Sequence, residues 1–200
     1  MILLIVDDHS VIRAGVRRLF SSNPDISVCE ASSSDDALAI FRAQRPDVVL
    51  LDLNLGNSSG IELLRRLLGE DVGARVLIFS MYSEPIDVWR GLKAGASGYV
   101  SKGADPDELL AAIHCVADGG RYVEQEIALG RDFVNPLERL TTRELDIVRL
   151  LGEGKSLSVI ADALGVAHRT VASACSLIKG KLRLQKTADL IRLTSEMRQR

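Results

Sequence analysis

The sequence predicts two domains of different class. Residues 1–120 read as an α/β domain with a doubly wound, five-stranded parallel sheet, residues 137–200 as an all-α domain of four helices, and residues 121–136 as a linker. Three observations carry this. Short apolar runs alternate with helical patterns as far as Gly120, which is the arrangement that builds a parallel sheet from strand–helix–strand units. From Leu137 onward no strand signal returns. Between the two, Gly119–Gly120 and Pro136 bracket a stretch without a clear period, as breakers do around a loop.

Ile2–Leu3–Leu4–Ile5–Val6 and Val48–Val49–Leu50–Leu51 are unbroken apolar runs. Runs this short, with no polar alternation, are strands buried on both faces. Ser27–Ala31 is a weaker strand, and Val76–Leu77–Ile78–Phe79 and Gly98–Tyr99–Val100–Ser101 complete the five. Helices fall between them. Val11, Ile12, Val16, Leu19 and Phe20 recur at helical spacing, as do Ala37, Leu38 and Phe41 before Pro46 stops the pattern. A third helix follows a loop at 53–60 and runs through Leu68, a fourth begins near Pro85, and a fifth covers about 105–118 with Pro106 just inside its start, where proline is pre-set for a first turn.

In the second domain Thr141-x-x-Glu144 is a capping box opening a helix whose apolar face is Leu145, Val148 and Leu151, with Gly152 and Gly154 at its end. Ser156 caps a short helix, Leu157–Leu164, closed by Gly165. A longer helix over His168–Leu182 buries Val171, Cys175, Ile178 and Leu182, and Thr187 caps a fourth over 187–196. Helix, short turn with glycine, helix: these are the components of a helix-turn-helix.

Composition narrows the function classes. No apolar run approaches the ~18 residues of a membrane span, and no basic stretch precedes the first strand, so the expectation is an unexported, cytoplasmic protein without a membrane partner. Cys29, Cys115 and Cys175 show no C-x-x-C spacing and read as small buried hydrophobes rather than a disulfide or zinc framework. The net charge of −2 conceals an asymmetry: residues 1–120 carry 11 Lys and Arg against 17 Asp and Glu, residues 121–200 carry 14 against 10. A basic second half joined to an acidic first half points to nucleic-acid contact by the second.

The strand ends carry chemistry. The first apolar run ends in Asp7–Asp8, the third strand in Asp52, the fourth in Ser80, the fifth in Lys102. Open α/β sheets place ligands at this carboxyl edge. One strand-end carboxylate would commonly cap the next helix, but acids, a hydroxyl and an amine on one rim need another explanation. Clustered carboxylates repel each other unless a cation sits among them, and Asp7, Asp8 and Asp52 make a hard oxygen site suited to Mg²⁺. Lys102 adds positive charge and Ser80 a hydrogen-bond donor, so Asp52 is predicted to accept a phosphoryl group, as carboxylate nucleophiles do. A phosphohydrolase with an aspartate nucleophile is the enzyme alternative. It would want a second acid two residues on, where Asn54 stands.

Asp7–Asp8, Asp52, Ser80 and Lys102 resemble the signature of bacterial response-regulator receiver domains, which have a flavodoxin-like fold. Leu140–Thr141–Thr142–Arg143–Glu144–Leu145–Asp146–Ile147–Val148, Gly154–Lys155–Ser156, Ile160–Ala161, Leu164–Gly165–Val166, Thr170–Val171 and Lys181–Leu182 resemble the LuxR-type helix-turn-helix. Together the chain resembles a two-component response regulator of the NarL/FixJ family. The resemblance implies that a histidine kinase phosphorylates Asp52. It implies that Asp8 and Asp52 bind Mg²⁺ directly, Asp7 through water and Asn54 through its backbone carbonyl. It implies that Ser80, Tyr99 and Lys102 sense the phosphate, Tyr99 as an aromatic that turns inward. The chain would be a regulator rather than a turnover enzyme, with a DNA-binding domain that forms a homodimer on activation.

Two rim residues depart from the family: proline usually stands where Gly56 is, and a small residue where Met81 is. Gly56 is expected to loosen its loop and Met81 to crowd the entrance to Asp52. The DNA-facing side of the third helix would be Arg169, Ser173 and Ser176, flanked by Ala172 and Lys179. Family members commonly place basic residues at 172 and 176, histidine at 174, a serine cap at 167 and a lysine near 158. Two readings therefore stand. In one, phosphorylation gates a transcription regulator of weak intrinsic DNA affinity. In the other, the drifted helical tail binds protein or dimerises instead of reading DNA.

Overall fold

The computed structural model describes residues 1–21, 23–56, 58–81, 85–124, 136–182, 184 and 190. The chain divides into two compact units, the first holding Met1–Ser83 and Asp87–Arg131, the second Asp132–Arg200 with Glu84–Ile86.

The first unit runs β1 (Ile2–Val6), α1 (Ser10–Phe20), β2 (Ser27–Ala31), α2 (Ser34–Gln44), β3 (Val48–Leu51), β4 (Asn54–Leu55), β5 (Ser58–Ser59), α3 (Gly60–Glu70), β6 (Val76–Ser80), α4 (Pro85–Lys93), β7 (Gly98–Ser101), α5 (Pro106–Ala117) and β8 (Tyr122–Val123). Six strands form one parallel sheet in the order β2-β1-β3-β6-β7-β8. The sequence predicts five. The sixth, β8, lies in the stretch read as linker, where two residues are too few to show a period. A second difference is the loop at 53–60, which contains the antiparallel pair β4–β5.

Burial follows the unbroken apolar runs. All of β3 and β6 is buried, and β1 from Leu3 onward. Successive side chains alternate between two cores, as a pleated strand requires. Leu4, Val6, Val49, Leu51, Val76 and Ile78 pack with Ala37, Leu38 and Phe41 of α2 and Leu63, Leu64 and Leu67 of α3. Leu3, Ile5, Val48, Leu50, Leu77 and Val100 pack with Val16 and Phe20 of α1 and Leu109, Ile113 and Val116 of α5. The sheet is thus covered on both faces, and its function must lie at an edge.

The second unit has a 3₁₀ turn (Pro136–Arg139) and helices α6 (Thr142–Gly152), α7 (Leu157–Leu164) and α8 (His168–Leu182). Thr141 and Glu144 form the reciprocal capping box, with Thr141 Oγ1 accepting from the Glu144 N–H and Glu144 accepting from the Thr141 N–H at 2.7 Å. Lys181 reaches back from α8 to the same carboxylate at 2.7 Å and, with the cap, holds the Glu144 carboxyl below its ordinary range. Thr141→Ala is expected to cost about 1 kcal/mol, the usual value of a lost cap, read as a lower midpoint in denaturant unfolding of this unit.

Ser156 caps α7 from the side chain, and Gly165 ends it in the left-handed conformation at φ 64°. Ile147, Val148, Leu151, Ile160, Ala161, Val171, Cys175, Ile178 and Leu182 build the core. Leu145, expected on the buried face of α6, is 37 % exposed, and Ile147 is buried instead. The fourth helix expected over 187–196 lies outside the described residues, apart from Leu190, which is buried.

Candidate functional site

Neighbouring strands bring the predicted rim residues together. β1 pairs with β3, and β3 with β6, each parallel and in register, so their ends arrive side by side. The Asp52 N–H donates to the Val6 carbonyl at 2.9 Å and the Lys102 N–H to the Ser80 carbonyl at 2.9 Å. These bonds carry the ladder one residue past the strands and fix the backbone of each reactive position.

At the centre is the Lys102 amine. Nζ donates to Asp52 Oδ2 at 2.6 Å and lies 2.7 Å from Asp7 Oδ2. The three side chains are only 3 %, 4 % and 2 % exposed. Burial favours a neutral amine, but the two carboxylates outweigh it and raise the Lys102 pKa. Burial also pushes the Asp52 carboxyl up, against the opposing pull of Lys102 and of the Asn54 N–H, which donates to it. The Asp7 contact is a buried ion pair with Lys102.

Asp8 and His9 complete the mouth. The Asp7, Asp8, His9 and Asp52 side chains each place one ligand atom within 4.8 Å of all the others. His9 Nδ1 lies 2.7 Å from Asp8 Oδ1 and 3.2 Å from Asp7 Oδ1, with the imidazole 60 % exposed. His9 reads as an ordinary surface residue in the sequence, but it leans over the acid pair. Its own N–H donates to Asp7 Oδ1 at 2.8 Å. The Asp7, Asp8 and Asp52 carboxylates form an acidic pocket whose hard oxygen donors fit a divalent cation.

Two glycines let the loop approach. A β-carbon at Gly60 would stand 2.2 Å from the Asp52 carbonyl oxygen, a distance no side chain tolerates. Gly56 adopts φ +64°, with Asp8 Oδ2 3.4 Å from where its β-carbon would be. Proline, fixed near φ −65°, cannot take that turn, so a glycine here goes with a different loop path. Met81 is 73 % exposed.

Ser80 and Tyr99 are fully buried. Burial first, then the nearby Asp87 carboxylate, pushes the Tyr99 phenol far up; against these, the Ser80 hydroxyl is close enough to draw it down. Tyr99 therefore stands inward against the hydroxyl at the end of β6.

On the second unit, α8 presents Arg169, Ser173 and Ser176 to solvent, with Ala172 and Lys179 half-buried beside them. Its other side is the buried Val171, Cys175, Ile178 and Leu182. The Ser176 hydroxyl donates back to the Ala172 carbonyl at 3.3 Å. Leu177, on the exposed side, is a residue that sequence reasoning did not single out.

A family model for the response regulator receiver domain matches residues 3–114, and one for bacterial regulatory proteins of the luxR family matches residues 138–194. The chain is a LuxR-type response regulator. It is 34 % identical over 197 residues to the methanol utilization control regulatory protein MoxX of Paracoccus denitrificans, covering 94 % of this chain and 88 % of that one. It is 32 % identical over 197 residues to the nitrate/nitrite response regulator NarL of Escherichia coli K12, covering 94 % and 91 %. Among solved structures, RcsB from Salmonella enterica serovar Typhimurium, bound to a promoter in the presence of the phosphomimetic BeF₃⁻, has a TM-score of 0.78 at 21 % identity, covering 98 % and 99 %. That likeness shows the fold.

This response regulator controls transcription through its helix-turn-helix domain. Proteins of this make-up are typically not enzymes. Among the described residues no helix is long and apolar enough to cross a membrane.

Proposed function

We propose that Asp52 is phosphorylated by a histidine kinase and that the phosphoryl group gates DNA binding by α8. The observation that carries this is the Lys102 amine held between Asp7 and Asp52, with Asp8 alongside. In the transfer, an Asp52 oxygen attacks phosphorus, the phosphorus–nitrogen bond of the donor phosphohistidine breaks, and the imidazole leaves with the electron pair. Asp7, Asp8, Asp52 and the Asn54 backbone carbonyl would hold Mg²⁺, which offsets the charge that gathers on the phosphoryl oxygens. Lys102 then exchanges a carboxylate partner for a phosphoryl oxygen, and the Ser80 hydroxyl donates to another.

The receiver in this reading covers residues 1–120 and gains β8, residues from there to 136 connect, and residues 137–200 are the output domain. Phosphorylation shifts a population of conformers toward a homodimer that binds DNA, in the cytoplasm where kinase and DNA are met. Arg169, Ala172, Ser173, Ser176 and Lys179 face the DNA. Readout is poor in charge: Arg169 is the one guanidinium among them, serines bond to several bases, and the Ser176 proton is engaged by its own helix. Paired half-sites must therefore supply much of the affinity.

The test is capture of genomic DNA by the wild type and by Asp52→Ala, followed by binding to a recovered fragment across salt. Phosphorylated wild type is expected to recover discrete sites and to lose affinity steeply with salt, and Asp52→Ala to recover few. Arg169→Ala should weaken binding to the recovered fragment by about 1–3 kcal/mol, the usual value of one arginine–guanine contact. A flat salt response, or recovery no better than random sequence, would overturn the DNA-binding half of the proposal.

A further inference from the structure

Glu124 is a buried acid that neither the rim nor α8 uses. It follows β8 directly and is 5 % exposed. Its Oε2 accepts from the Ser101 N–H at 2.6 Å and its Oε1 from the Ser101 hydroxyl at 3.2 Å. Its own N–H donates to the Tyr99 carbonyl at 3.1 Å. β8 pairs with β7 in the register Gly98↔Tyr122 and Tyr99↔Val123. Where that ladder stops, the side chain takes the next N–H of β7 in its place.

Lys102, the amine between the two rim carboxylates, follows the last residue of β7. One carboxylate thus ties the residue after β8 to the residue before Lys102, on both its backbone and its side chain. Ser101 is half-buried, and without Glu124 its N–H and hydroxyl would each lose their protein acceptor, which costs more than the net worth of a hydrogen bond wherever water does not replace it. The tie is accordingly stiff. A shift of the Ser101 backbone, which carries Lys102 next to it, cannot leave Glu124 in place without straining both hydrogen bonds.

We propose that Glu124 is the positioning residue that couples Lys102 to the segment leading to the DNA-binding domain, so that phosphorylation is felt beyond residue 124 through Ser101. This rests on the phosphoacceptor reading of Asp52. It predicts that the rim can respond without Glu124 but the segment cannot.

Hydrogen exchange on the full chain tests this, with beryllofluoride and Mg²⁺ as the phosphoryl mimic, in the wild type, Glu124→Gln and Glu124→Ala. Exchange reports local opening equilibria. In the wild type, peptides covering 98–104 and 119–131 are both expected to change. In Glu124→Ala the 98–104 response should persist while the 119–131 response falls about fivefold, the lower range of a coupling between sites. Glu124→Gln, which keeps an acceptor for the N–H, should lie between, and it decides by the same ratio if the alanine variant fails to fold by circular dichroism. A full 119–131 response in the variants overturns the coupling, and so does loss of both responses together, which would mark Glu124 as structural only. No change in either wild-type peptide sinks the phosphoacceptor reading and this one with it.

Discussion

Asp52→Asn is expected to abolish the gain of one phosphoryl mass when the protein is incubated with acetyl phosphate and Mg²⁺, and with it the phosphorylation-dependent rise in DNA affinity. The effect is all-or-none because the amide keeps the shape of the carboxylate and can still accept from Lys102, but it is not a nucleophile at phosphorus. Asp7 and Asp8 remain in the pocket, but in this reading they hold the metal and do not accept the phosphoryl group. Basal DNA binding should remain near that of the unphosphorylated wild type. Intact-protein mass spectrometry beside a binding isotherm checks both halves. A variant that still gains the phosphoryl mass would place the acceptor elsewhere.

Lys102→Met is expected to lower the unfolding free energy by about 3–5 kcal/mol at neutral pH without Mg²⁺, the usual consequence of removing one partner from a buried ionic group. Three side chains almost shut off from solvent share this charge balance, and without the amine the Asp7 and Asp52 carboxylates face each other unpaired. Two conditions should restore stability. Acidification protonates the carboxyls, and millimolar Mg²⁺ takes the place of the amine, so the variant should show a larger rise in Tm with Mg²⁺ than the wild type. The sign on the alkaline side follows from the raised Lys102 pKa. A group whose folded pKa exceeds its unfolded value stabilises fully below the unfolded value and loses that contribution as pH climbs through the folded one. The difference between wild type and variant should therefore shrink only above the ordinary lysine range. A variant as stable as the wild type at neutral pH, with no Mg²⁺ dependence, would mean that the amine carries no net charge balance.

Much of the fold was legible because burial on both faces writes itself into sequence. Ile2–Val6 and Val48–Leu51 have no polar positions to alternate, and each is a buried strand of the sheet. The caps were equally plain, since Thr141, Ser156 and Gly165 act on groups within a few residues of themselves. What sequence did not show depends on distant partners. β8 is two residues long and exists because Gly98 and Tyr99 stand beside it. Leu145 and Ile147 are both apolar, and only the packing of α6 decides which is buried.

The rim divides in the same way. That Asp7, Asp8, Asp52 and Lys102 would meet could be read from three apolar runs ending on one edge. That Lys102 bridges Asp7 as well as Asp52, that His9 leans over the acid pair, and that Tyr99 stands inward against Ser80 are matters of side-chain rotamer. Strand position alone does not set them. Glu124 was invisible for a further reason. An acid in a stretch without period looks like solvated linker until a neighbouring strand offers it a donor.

Peptide mapping of the full-length wild type after brief exposure to acetyl phosphate and Mg²⁺ tests the central claim most directly. A single acid-stable, base-labile phosphoryl group should appear on the peptide that carries Asp52, and chelation of Mg²⁺ should prevent it. A phosphoryl group on any other peptide, or none on a folded sample, would contradict the assignment of that rim as the input of this regulator.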